Sequence, residues 1–216
     1  MTPRSTERIN IPGPAGVLEL AYNVPGPAPR GIALVTHPHP LQGGTLDNKV
    51  VQTLAKTFFA LGYASVRFNF RGVGQSEGGF DEGVGETEDA LAVIAHARAR
   101  LALGNDALSI VLAGFSFGSY VQTRVAKHVA VERMVLIGPA VKRFALEEVP
   151  ADTIVIHGEE DDVVALADVF EWARPQQLPV VVFPGCGHFF HGRLTQLQQV
   201  ITGMWSTAPA NAASAP

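Results

Sequence analysis

The chain predicts an α/β domain with a mainly parallel, twisted sheet of about eight strands and helices on both faces. Three observations carry that expectation. Short apolar runs recur from residue 30 onward, too continuous for strands with one wet face. Segments with apolar residues at helical spacing alternate with them, such as Val51, Leu54, Phe58 and Leu61. No period repeats, and strand–helix alternation without repeats is the pattern of parallel strands joined by crossover helices.

In chain order, Glu7 to Pro12 and Val17 to Tyr22 read as two early strands. The short Pro12–Gly16 turn between them favours antiparallel pairing. Ile32 to Val35 is a buried strand ending in Thr36-His37-Pro38-His39-Pro40. A helix through Leu61 follows, with Gly62 placed to cap it. Tyr63 to Phe70 reads as a strand, then comes the turn-rich Arg71–Gly79, then a helix over about Glu86 to Leu101. The run from Ser109 is a strand, and Ser119 to Lys127 reads as the helix after it. Strands at Met134–Ile137, Thr153–His157 and Val180–Phe183 complete the sheet, with helices at Leu166–Ala173 and Arg193–Trp205. The connection from Gly138 to Asp152 is too short for a cap domain. One domain over 1–205 is expected, with 206–216, rich in Ala, Ser and Pro, as a disordered tail.

Composition narrows the function. The formal net charge is -4 and the 16 basic residues are scattered, which argues against a nucleic-acid partner. A single cysteine, Cys186, excludes an internal disulfide and a cysteine-based zinc site. No apolar run approaches the roughly 18 residues of a membrane span. No signal peptide is visible at the N-terminus, so a cytoplasmic location is expected.

Chemistry concentrates at the ends of the predicted strands, where open α/β sheets bind ligands. Gly114-Phe115-Ser116-Phe117-Gly118 joins a buried strand to a helix. A serine at so tight a turn sits in strained backbone, and glycines two residues to either side let the chain fold back. His188 follows the last strand, and imidazole can take the serine proton near neutral pH. A carboxylate on its other nitrogen would fix the tautomer. Glu159, Glu160, Asp161 and Asp162 lie at the end of the preceding strand.

With these motifs the chain resembles the α/β-hydrolases over roughly residues 15 to 205, most closely small, lidless bacterial members of the dienelactone-hydrolase and serine-aminopeptidase-like kind. The nucleophile elbow, the order Ser116, acid, His188, the Arg71-Gly72-Val73-Gly74-Gln75-Ser76 loop and Gly185 to His188 all match. The acid loop matches at Gly158, Asp161 and Val164, with Ala165 where proline is common, so the resemblance selects Asp161. It implies a nucleophile Ser116, a base His188 and an orienting acid Asp161. The amide of Phe117 would be one oxyanion donor. The other comes from the loop after Val35, where Pro38 and Pro40 have no N–H. That leaves His39 or Leu41, and similarity to the family's H-G-x-P loop favours His39.

Other readings of these residues are blander. Asp162 could cap the next helix, and His191 could cap the last one or face solvent. His37 and His39 form an H-x-H pair with no further ligand cluster, so a loop role is expected and no metal. Cys186 reads as a packing residue, and Arg71 with Asp89 as a structural ion pair. The expected function is hydrolysis of a small carboxylic ester or related acyl compound, with no cofactor and a small-molecule acyl substrate as partner. Amide or thioester hydrolysis would use the same parts. A non-enzymatic binding protein on the same scaffold is the other class, disfavoured because serine, acid and histidine are all present.

Overall fold

The two early strands, β1 (Glu7–Gly13) and β2 (Gly16–Asn23), form the expected antiparallel hairpin. The computed structural model describes residues 6–101 and 108–206. Six further strands are β3 (Gly31–Thr36), β4 (Ala64–Phe68), β5 (Ser109–Phe115), β6 (Arg133–Ile137), β7 (Ile154–Gly158) and β8 (Val180–Phe183). Between them run α1 (Lys49–Ala60), α2 (Val84–Leu101), α3 (Phe117–Val125) and α4 (Leu166–Ala173), and α5 (Leu194–Ser206) follows β8.

The strands form one eight-stranded sheet in the order β1-β2-β4-β3-β5-β6-β7-β8. β2 is antiparallel to both its neighbours, while β4, β3, β5, β6, β7 and β8 pair in parallel. The pleat then decides where each side chain goes, since successive residues face opposite sides. Ile32 and Leu34 of β3, Leu112 of β5 and Leu136 of β6 join one core with α2 and α3. Ala33, Val35, Val111, Phe115 and Ile137 join the other, against α1 and α5. Both faces are dry, and the central strands are mostly apolar for that reason.

Most boundaries fall within a residue or two of expectation, and two differences bear on the site. The strand expected over Tyr63–Phe70 is confined to Ala64–Phe68. Asn69 N–H still reaches Glu19 O of β2 (2.9 Å), but Phe70 N–H turns to the His37 ring (3.0 Å), and there the pairing ends. The helix expected from Ser119 starts at Phe117, directly after the elbow, and stops at Val125. Short 3₁₀ turns at Pro40–Gln42 and Arg174–Gln176 were not expected. The expected tail lies outside the described residues apart from Ser206, which ends α5.

The link from β6 to β7 contains neither helix nor strand, so no cap domain covers the sheet edge there. Arg71 and Asp89 form the expected buried ion pair, bidentate at 2.8 Å in both bonds. It fastens the loop after β4 to α2. Among the described residues, no helix is long and apolar enough to cross a membrane.

Candidate active site

Ser116 has φ 55° and ψ -118°, a backbone conformation that a side chain rarely adopts. It is held there from several sides. Its N–H donates to Ile137 O on β6 (2.9 Å), and the Ser119 hydroxyl donates to Gly114 O (2.8 Å). Thr36 donates its hydroxyl to Gly118 O (2.9 Å). The flanking glycines are obligatory. A Cβ on Gly114 would stand 2.5 Å from Gly118 O, and one on Gly118 would stand 2.5 Å from Thr36 O. The turn thus presents Ser116 at the carboxyl end of β5, at the N-terminus of α3.

His188 and Asp161 meet there from different strands. His188 Nδ1 lies 2.7 Å from Asp161 Oδ2, and both side chains are buried. The other carboxylate oxygen, Oδ1, accepts the N–H groups of Val163 (2.9 Å) and Val164 (2.8 Å). Burial works to raise the Asp161 pKa. The His188 hydrogen bond and charge and the Val164 N–H outweigh it, and the carboxyl stays below its ordinary value. The His188 ring packs on Phe115 (centroids 4.8 Å apart) and against Gly138, where a Cβ would come within 3.2 Å of Cε1. Gly138 directly follows the residue that anchors the Ser116 amide, so serine and histidine flank the end of β6. No hydrogen bond joins Ser116 Oγ to His188 here. Such bonds are commonly long or misaligned in a ligand-free site.

The competing residues are placed elsewhere. Asp162 is exposed and does not cap α4, whose N-cap is Ala165. Glu159 accepts Gly185 N–H (2.8 Å), tying the acid loop to the histidine loop. His191 is exposed, and Cys186 is buried in the core beside β8. His37 and His39 do not converge. His37 accepts Phe70 N–H at Nε2, so its Nδ1 carries the proton and donates to Pro38 O (2.7 Å). Burial pushes its pKa down to about 4. His39 instead packs its ring on Phe80, Phe117 and Phe144.

Leu41 N–H donates to His39 Nδ1 (3.2 Å) and is therefore engaged. The N–H groups of His39 and Phe117 have no protein acceptor among the described residues. Both residues line a cavity of about 240 Å³ that also contains Ser116, Gln42, Phe144, Val163 and Val164. Phe115, although next to the serine in sequence, does not line it. It is fully buried on the opposite face of the sheet, supporting His188. Strand alternation explains the difference, since Phe115 and its neighbours point to opposite sides. Phe144 takes the wall position instead, from the link after β6. Asp168 also lines the cavity and is bound to Lys142 (3.3 Å), while Arg143 stands beside them. Among the described residues, no three His, Cys, Asp or Glu side chains converge as metal ligands.

This arrangement can be set beside known proteins. Residues 20–148, well over half of the chain, match the X-Pro dipeptidyl-peptidase (S15) family. The chain is an α/β serine hydrolase of that family. The hydrolase is 35% identical to an α/β serine hydrolase without a lid from Xanthomonas campestris, with a TM-score of 0.87 over 97% of this chain and 99% of that one. An α/β serine hydrolase homologue from Coxiella burnetii is 38% identical, with a TM-score of 0.85, covering 95% and 99% of the two chains. An uncharacterized protein of Rickettsia prowazekii (strain Madrid E) is 31% identical, over 94% of this chain and 90% of its own length.

Proposed function

We propose that this hydrolase cleaves small, water-soluble carboxylic esters through an acyl-enzyme on Ser116. The observation that carries the reading is the bond of His188 Nδ1 to a buried, ionised Asp161 beside a serine held at φ 55°. Asp161 keeps the His188 proton on Nδ1, which leaves Nε2 free to accept the Ser116 proton. Ser116 Oγ then attacks the carbonyl carbon, and His188 returns that proton to the departing alcohol oxygen. Water repeats the sequence, adding its oxygen to the acyl carbon and passing its proton through His188 back to Ser116. The unengaged N–H groups of Phe117 and His39 are the proposed oxyanion donors. Each such donor is worth on the order of a hundredfold or more in rate.

The lining charges favour esters over the N-terminal dipeptides implied by the family's name. Recognition of a free ammonium calls for an unpaired carboxylate, yet Asp168 is occupied by Lys142, with Arg143 beside it. The cavity of about 240 Å³ lies below the roughly 300 Å³ at which drug-sized pockets begin, which suits a short acyl group.

A fluorophosphonate probe should label wild-type protein at Ser116 and leave Ser116→Ala unlabelled, with the variant's melting temperature unchanged. Turnover of p-nitrophenyl acetate should vanish in Ser116→Ala and exceed turnover of a dipeptidyl-proline anilide in wild type. Labelling of another residue would remove Ser116 from its role. Faster cleavage of the anilide would overturn the ester assignment.

A further inference from the structure

We propose that His157 is a positioning residue that holds the Asp161 carboxylate in line with His188. The proposal rests on the Ser116–His188–Asp161 reading above and adds a second histidine behind the acid.

His157 is the penultimate residue of β7 and has no exposed surface. Its Nε2 lies 2.8 Å from Val164 O and 3.3 Å from Asp161 Oδ2. A carbonyl oxygen can only accept, so the proton resides on Nε2. That N–H is given to the Val164 carbonyl, and the Asp161 oxygen that receives His188 stands 3.3 Å away as a charge contact. Nδ1 is buried without a partner. A proton there would be a stranded donor as well as a buried charge, so the ring is neutral. The charged groups facing it are Asp161 and His188. Burial, the largest influence, holds its pKa below the ordinary value, and a positive His188 acts in the same direction.

The same contacts explain what the ring holds in place. Val164 accepts from His157 through its C=O and donates through its N–H to Asp161 Oδ1. His157 thereby ties strand β7 to the far end of the acid turn. The turn cannot open without breaking that tie, and the turn carries the Val163 and Val164 N–H groups that hold the carboxylate. Removing the imidazole would leave Val164 O unpaired in a buried place and free the carboxylate to swing from His188.

The test compares two variants of the full chain. His157→Gln can place an amide N–H near the position of Nε2. His157→Asn is too short to reach Val164 O from the same backbone. Asn should lower kcat on the order of 10- to 100-fold, taking as the scale the loss when the outer partner of a metal-bound histidine is removed. KM should change little. Gln should retain most of kcat. The far-downfield proton resonance of the His188 Nδ1–H should persist in wild type and Gln and be lost by exchange broadening in Asn. A merely structural role would lower the melting temperature of both variants without separating their resonances. Equal kcat and equal resonances in the two variants would overturn the proposal. So would an Asn variant matching wild type. Fluorophosphonate labelling of wild type at Ser116 is the independent arm: its absence sinks the hydrolase mechanism whatever His157 does.

Discussion

Replacing Asp161 by Asn tests the relay at its most constrained point. The carboxylate has two firm donors on Oδ1, one firm donor on Oδ2, and His157 at 3.3 Å. An amide fits this set in two ways. With its NH₂ toward Val163 and Val164, donor meets donor twice, and two buried N–H groups lose their acceptor at about 1–3 kcal/mol each. With its oxygen kept there, the NH₂ faces His188 Nδ1 instead. That second arrangement costs less, because imidazole can respond by moving its proton to Nε2. Nε2 then has no lone pair for the Ser116 proton. The expected loss in kcat is about 10⁴-fold, the size of the tautomer penalty in such triads, or about 5 kcal/mol. Steady-state hydrolysis of p-nitrophenyl acetate measures it, with thermal melts to establish that the fold persists. A folded Asp161→Asn protein within about tenfold of wild type would refute the assignment of the acid.

His188→Ala should lose on the order of 10⁶ in kcat, whereas exposed His191→Ala should stay within about twofold; parallel assays that reverse this order would exchange the two histidines. Along a series of p-nitrophenyl esters, kcat/KM should gain at most about fourfold per buried methylene (roughly 0.8 kcal/mol), level off once the cavity is filled, and show no step at the micellar threshold. Continued gain with long chains, or a step at the interface, would contradict the small uncapped cavity. His37 makes stability fall in acid: its pKa is about 4 when folded against about 6.5 unfolded. The unfolded chain thus binds the extra proton between these values, so stability present above the unfolded value is lost as pH falls toward the folded one. From pH 7 to pH 5 this amounts to about 2 kcal/mol. Urea unfolding should give His37→Asn a correspondingly shallower pH dependence than wild type, and an equal slope would remove His37 as its source.

The sheet was legible because burial on both faces leaves a one-dimensional record, an apolar run bounded by turn residues. The elbow was legible for a similar reason, since Gly114 and Gly118 answer to atoms within their own turn or the adjacent strand end. Asp161 and Asp162 were harder to separate by local rules, because either acid could precede a helix. Only the family resemblance distinguished them before the fold placed one against His188. Phe144 and Val163 left no local mark as cavity walls. Their roles depend on how the loops after β6 and β7 lean over Ser116. Phe115 shows the opposite case: adjacency to the serine in sequence means opposition across the sheet. His157 reads in sequence as one more strand residue, and its meaning arises from a turn that closes seven residues later on Val164 O.

The same architecture explains where strain is tolerated. Besides Ser116 at φ 55°, Phe190 stands at φ 52° just beyond His188. Each such position costs on the order of 1–3 kcal/mol. Neither is free to relax. Ser116 is fixed by the hydrogen bond its N–H donates to Ile137 O of β6, and Phe190 is fixed by full burial of its ring among Phe183 and the α5 core. Burying a phenylalanine contributes about 1.5–3 kcal/mol, enough to offset its own backbone strain. The chain can therefore reverse sharply on both sides of the site while the sheet beneath stays rigid. Four strand ends, after β3, β5, β7 and β8, bring His39, Ser116, Asp161 and His188 to one edge. The parallel strands fix that edge, and the strained turns fix the direction in which the serine and histidine face across it.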